Sequence, residues 1–253
     1  MSPLIAFSRR WILTTLLVIG GGFVLARLGV WQLDRLAQRR IFNERATAQM
    51  NQPQLELQGE ALQADLYYME YRTVRERGEY DFSQEVALRN QVWGNLYGVH
   101  LLTPLRIENS QAVILVDRGW IPAEDFASGE WSRFAEPGVV EVSGILRRPQ
   151  SRPDFGRISD PTPAAGERLT AWNLANLEQM QQQMPYRLLP AYIQQSPDPA
   201  WAEMPYRSVT EVEITEGPHL GYAIQWFTFA AILVFGYPVF ILKEEKRSAS
   251  TPR

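Results

Sequence analysis

The chain has no cysteine among its 253 residues. That excludes a disulfide framework, a thiolate nucleophile, a CxxC redox pair and thiolate-based copper delivery. Only two histidines occur, His100 and His219, far apart in sequence, so an all-protein zinc site would need carboxylates in place of the usual Cys/His sets. No run of Lys and Arg is long enough to track a phosphate backbone, and the formal net charge is −3, which argues against nucleic acid as a partner. HExxH, GxSxG and P-loop patterns are missing, and no nucleophile–base pair is evident. Scattered carboxylates leave a two-carboxylate hydrolase of the cell envelope as the residual enzymatic alternative. No internal repeat is visible.

What is present is unevenly distributed. A hydrophobic content of 45% with 21% charged residues would suit a soluble domain, yet the stretch from His219 to Leu242 contains no Asp, Glu, Lys or Arg. At ~1.5 Å per residue it extends ~36 Å, enough to cross a hydrocarbon core of ~30 Å. Tyr222, Trp226 and Tyr237 suit interfacial aromatic belts, and Lys243, Lys246 and Arg247 behind the stretch predict a cytoplasmic C-terminus. A second apolar segment, Trp11 to Ala26, spans if the helix continues through Arg27 to about Trp31 with Arg27 snorkelling outward. Arg9 and Arg10 favour a cytoplasmic N-terminus, while Arg35, Arg39 and Arg40 pull the other way. The second span decides for both termini inside. A cleaved signal peptide is the rival for the first segment, since Ser8 to Leu13 resembles a twin-arginine start and Val24-Leu25-Ala26 a cleavage site. Gly20 to Gly22, Ala26 and Gly29, with Ala223, Ala230 and Ala231, either let two helices approach closely or are small residues tolerated in lipid.

The expected organisation is a transmembrane helix over 11–31, an extracytoplasmic domain over 32–218, a second transmembrane helix over 219–242 and a cytoplasmic tail over 243–253. The first helix should run on past the membrane until Asn51 to Pro53 break it. In the domain, short β-branched and aromatic runs, YRTVRERGEY, EVALRN, VHLLTPLRI, AVILVDRGW and VVEVSGIL, predict an antiparallel β-sheet or small barrel. Asn109-Ser110 reads as a hairpin turn and AVILV as a buried central strand. A helix is predicted from near Asn173, with asparagine as N-cap, through LANLEQMQQQM; YRLLPAYIQ reads as an edge strand because of Pro190. Two proline-rich stretches, residues 147–167 and 194–205, read as surface loops. The fold class is α+β, with one or two helices on the sheet, between two membrane anchors.

Four blocks, GVWQLDRL at Gly29 to Leu36, GVHLLTPLRI at Gly98 to Ile107, ILVDRGWIP at Ile114 to Pro122 and HLGYAIQWF at His219 to Phe227, resemble in that order the signature blocks of the Surfeit-locus-one family. The resemblance covers nearly the whole chain. It implies a non-enzymatic cytochrome c oxidase assembly factor of the bacterial cell (inner) membrane that acts around haem a insertion. Its implied partners are the large catalytic subunit, haem a synthase and membrane lipid. The family's histidine at the start of the second span maps to His219, which makes His219 the expected axial iron ligand and sole metal-binding residue. Arg27 and Arg35 are candidates to pair with haem propionates, and Trp226 to line the same site. Trp31 and Gln32 are read as interfacial residues, His100 as a hydrogen-bonded strand histidine, and VDRGWIP as fold-determining. The alternative is an extracytoplasmic scaffold that binds protein partners without haem.

Overall fold

The structure, a computed structural model, describes residues 8–153, 156, 160–161, 167–208 and 211–250. Contacts divide the chain into two units, one formed by the segments up to Arg45 and from Glu213 onward, the other by Ala46–Val212.

The first unit is an antiparallel helical hairpin of α1 (Ile12–Met50) and α4 (His219–Ser250). Both helices are long and apolar enough to cross a membrane, which makes this a membrane protein with a central domain. As expected, α1 continues far beyond its apolar part and stops just before Asn51 to Pro53. The buried residues of α1 include Trp11 just ahead of it, then Thr15, Gly22, Gly29, Gln32 and Leu36, separated by three, four or seven positions. That is the near-3.5 repeat of two helices packed along one seam. The facing stripe on α4 runs through Ala223, Trp226, Ala230, Leu233, Tyr237 and Ile241, each buried or half-buried. Close approach depends on glycine: a Cβ on Gly29 would lie 2.7 Å from the Phe227 ring, and one on Gly22 2.9 Å from Val234. The small residues of α1 therefore form the packing seam, except Gly20, which faces open space. Away from the seam the helices present Leu13, Leu17, Phe23, Ile232, Phe235 and Val239 outward, as lipid contact requires.

The second unit is built on a sheet of β1 (Thr73–Tyr80), β2 (Val86–Trp93), β3 (Leu96–Ile107), β4 (Val113–Pro122), β5 (Val139–Arg147), β6 (Ala171–Trp172) and β7 (Leu188–Gln195). The order β1-β5-β7-β4-β3 closes on itself through β1–β3 pairing at Gly78↔Ile107 to Tyr80↔Leu105. This gives a five-stranded Greek-key barrel in the manner of OB folds. All five predicted runs are strands, Asn109 at φ 57° sits in the β3–β4 turn, and β4, buried from Val113 to Ile121, is central. Alternation along β1 buries Val74, Glu76, Gly78 and Tyr80 and exposes their neighbours, the signature of a strand with one face on a core. That core holds Leu57, Leu105, Ile114, Val116, Leu146 and Ile193. A second cluster on another face packs Val86, Leu102, Leu115 and Trp172 against Leu177 and Met180 of α3 (Leu177–Gln181). A short α2 (Ala123–Ser128) follows β4.

Of the two expected forms, sheet or small barrel, the barrel is present; its pairs are antiparallel except β4–β7, and β2–β6 beside it is parallel too. Two expectations are corrected. The YRLLPAYIQ strand, β7, lies in the barrel wall between β5 and β4 rather than at an edge. Its register against β4 jumps from Val113↔Leu188 to Leu115↔Tyr192, so Pro190 sits in a bulge where no ladder donor is required. The helix predicted from Asn173 begins only at Leu177, with Asn176 as the cap whose side chain accepts from Gln179 N. Leu174 and Ala175 are instead buried ahead of it, and Ala175 O accepts from Gln150 N. The proline-rich stretch 147–167 lies partly outside the described residues.

Candidate functional site

At the start of α4, Gly217 at φ 64° turns the chain, a conformation open to glycine. Pro218 then opens the helix. His219 follows, half-buried, with its Nδ1 2.8 Å from Oε1 of the buried Gln32 on α1. An amide oxygen only accepts, so Nδ1 carries a proton, and in the neutral ring the lone pair is on Nε2. No hydrogen bond occupies Nε2 among the described residues. Such an imidazole, fixed by one nitrogen and available at the other, is in the form that binds metal.

Two arginines of α1 fix the approach to this turn. Arg39 donates from Nε to Thr215 O at 2.9 Å and from Nη2 to Glu213 O at 2.7 Å. Arg40 binds both Glu216 carboxylate oxygens at 2.7 and 2.9 Å. The Arg40–Glu216 hydrogen bond holds the guanidinium above and the carboxyl below their ordinary values. At the opposite end of the hairpin Trp11 Nε1 donates to Glu245 at 2.8 Å, and the Tyr237 hydroxyl lies 2.8 Å from those of Thr14 and Thr15.

Of the four residues expected to hold haem, His219, Arg27, Arg35 and Trp226, only His219 hydrogen-bonds to a side chain of the facing helix among the described residues. Arg35 is exposed and donates to Gln38 at 3.1 Å. Arg27 is exposed and makes no hydrogen bond or ion pair among the described residues. Trp226 lies on the seam with its ring edge-on to Phe229 at 6.2 Å. The partner that sequence reasoning did not assign is Gln32; its position on the spaced stripe of α1 was the available signal.

The barrel has its own polar centre. The Arg118 side chain is fully buried. It donates from Nη1 to Glu85 at 2.8 Å, from Nη2 to Glu136 at 3.0 Å and also to Phe134 O. Its guanidinium lies about 5 Å from the Tyr80 and Phe82 rings, within cation–π range. Arg207 holds the other side of Glu136 at 3.0 Å, and Thr103 donates to Glu85. Burial pushes the Glu85 carboxyl above its ordinary value even against the charge of Arg118. The adjacent Asp117 projects to the other face, where it meets His100 Nδ1 at 2.8 Å and accepts from Gly119 N. His100 is thus the hydrogen-bonded strand histidine expected. Burial lowers its proton affinity, but the charge and hydrogen bond of Asp117 outweigh that and leave it raised. At Gly119, φ 122° and a Cβ position 2.5 Å from Tyr206 O admit only glycine. VDRGWIP is therefore a buried structural motif with its charges paired.

The sequence matches the SURF1 family over residues 20–231, a range that takes in the whole barrel, most of α1 and the first part of α4. The chain belongs to the SURF1 family. It is 25% identical to a SURF1-like protein of Caenorhabditis briggsae over 88% of this chain and 74% of that one. It is likewise 25% identical to SURF1-like proteins of Monosiga brevicollis, over 91% of this chain and 88% of that one, and of Rickettsia bellii, over 94% and 92%. Both the Gln32–His219 contact and the Arg118 centre fall inside the SURF1 match.

Proposed function

We propose that this SURF1-family chain is a non-enzymatic assembly factor for cytochrome c oxidase that holds haem a transiently and assists its insertion into the large catalytic subunit. In this reading haem a synthase supplies the cofactor, both termini are cytoplasmic and the barrel is extracytoplasmic. The observation that carries it is the Nδ1-anchored, Nε2-free imidazole of His219 at the first turn of α4. When bound, the haem iron supplies a Lewis-acidic position that accepts an imidazole nitrogen. Gln32 keeps the His219 proton on Nδ1 and orients the ring, and the neighbouring span offers an apolar surface for a hydrocarbon tail. Arg27 and Arg35, exposed on α1, are available to anionic propionates, and Trp226 supplies aromatic surface on α4.

Copurified haem, read by Soret absorbance at matched membrane levels, tests this reading. His219→Ala should abolish the band, His100→Ala should leave it intact, and Gln32→Leu should weaken haem affinity by roughly 10- to 100-fold. A colourless unaltered protein would favour a scaffold that binds partners without haem. Equal haem in all variants would show that His219 is not the ligand.

A further inference from the structure

β2 and β3 join through a tight turn at Gly94-Asn95, with Gly94 at φ 58° and Trp93 paired to Leu96 and Val92 to Tyr97. The tip of this ribbon is apolar and uncovered: Val92 is 54% exposed, Leu96 61% and Tyr97 78%. Cross-strand partners share a face and successive residues alternate. Val92 and Tyr97 therefore project from one face of the ribbon, and Leu96 from the other. The ribbon is braced from behind. Trp93 packs on Tyr206 at 5.3 Å, and Tyr206 stacks on the buried Trp120 at 6.2 Å with ring planes 7° apart. Between Val86 and Ile107 there is no acidic residue, and the exposed Arg89 below the tip has no ion-pair partner among the described residues.

We infer that the β2–β3 hairpin tip is a lipid anchor, whose apolar side chains partition into the interface of a bilayer. A protein groove covers one face of a two-stranded ribbon, whereas a tip with bare apolar side chains on both faces needs a phase that surrounds it. Aromatic and aliphatic side chains ahead of an unpaired arginine are the composition that partitions into a headgroup–acyl boundary. Lipid is also the apolar phase present at the highest effective concentration, because the barrel is covalently continuous with a membrane span at each end. From Gly98 to the turn the strand advances ~10 Å at ~3.4 Å per residue, which matches an interfacial depth of ~5–10 Å.

The absence of cysteine permits a clean test on the full chain. Nitroxide labels on Tyr97→Cys and Leu96→Cys, with Glu79→Cys on the exposed face of β1 as the reference, would be compared in nanodiscs containing lipid and no other protein. The tip labels should collide more with apolar oxygen and at least several-fold less with a water-soluble nickel chelate than the reference label. Equal nickel accessibility at all three sites would put the tip in water and overturn the inference. Protection of the tip labels from both reagents would mean that a second copy of the chain, not lipid, covers the hairpin, and would overturn it equally. This outcome does not depend on haem binding.

Discussion

Replacing Arg118 by alanine should be among the most damaging single substitutions in the barrel. The guanidinium compensates the buried Glu85 carboxylate and the half-buried Glu136 one, and lies over the Tyr80 and Phe82 rings. Removing it leaves Glu85 with only the Thr103 hydroxyl, and leaves Glu136 to Arg207 alone. Breaking a buried pair from one side costs ~3–5 kcal/mol, a large share of the ~5–15 kcal/mol that holds a domain together. With a urea dependence of ~2–3 kcal/mol per molar for a domain of this size, the midpoint should fall by roughly 1–2.5 M. Arg118→Lys should recover little, because an ammonium cannot span Glu85, Glu136 and the Phe134 carbonyl together. Glu85→Gln should cost only ~1–2 kcal/mol, since an amide oxygen can still accept from Arg118 and Thr103. The pH dependence has the same origin. Burial raises the Glu85 carboxyl in the fold, so the native state binds that proton more tightly than the unfolded chain. The ionised group therefore withdraws stability as pH rises through its folded value. Pulse proteolysis of the full chain in detergent across a urea series reads the barrel's midpoint. A shift below about 0.5 M for Arg118→Ala, or a larger loss for Glu85→Gln than for Arg118→Ala, would refute the reasoning.

The His100–Asp117 pair should act in the opposite pH range from an ordinary carboxylate. His100 is raised in the fold, so its contribution is complete below the unfolded value near ~6.5 and fades as pH rises through the folded one. The stability gap between the unaltered protein and His100→Gln should therefore be wider at about pH 5.5 than at about pH 8.5, and a gap that widens with pH would contradict the pairing. Gly29→Leu drives a side chain into the Phe227 ring and should destabilise the helical hairpin by ~1–3 kcal/mol. Its effect is read as lower cross-linking between cysteines placed at Thr15 and Tyr237, with Phe227→Ala restoring the yield; an unchanged yield would remove the seam from consideration. For the proposed orientation, an alkaline phosphatase fusion near Gly129 should be active and one after Arg253 inactive, and the reverse pattern would invert the topology.

The parts of this protein that were legible in its sequence are those encoded by local period. Five strands followed from alternation and β-branched content, and the two spans from uninterrupted apolar length. Pro190 misled because a missing backbone donor suggests an edge, while the bulge that accommodates it is set by pairing with β4 and β5. The α3 start was misplaced because two asparagines, Asn173 and Asn176, are equally good caps on local grounds. Only the burial of Leu174 and Ala175 selects the second. The Arg118 centre joins residues 85, 118, 136 and 207, whose separations carry no motif. His219 stands out in the sequence by resemblance and by its position, but its hydrogen-bond partner does not, because Gln32 lies across the hairpin.

The arginines that complicate the charge pattern after the first span take on a structural meaning in the hairpin. Arg39 and Arg40 are spent on the backbone and carboxylate of residues 213–216, immediately ahead of the Gly217 turn. Trp11 and Glu245 tie the other end. Between these ties Gly22 and Gly29 seat Val234 and Phe227 in close contact, which favours one register through packing rather than hydrogen bonds. Rotating α4 by one residue, about 100°, would carry His219 away from Gln32 and leave a buried amide without its partner, at a cost of ~1–3 kcal/mol. The polar ties at both ends and the glycine contacts between them thus select one register, and that register is what presents the imidazole with Nδ1 committed to Gln32.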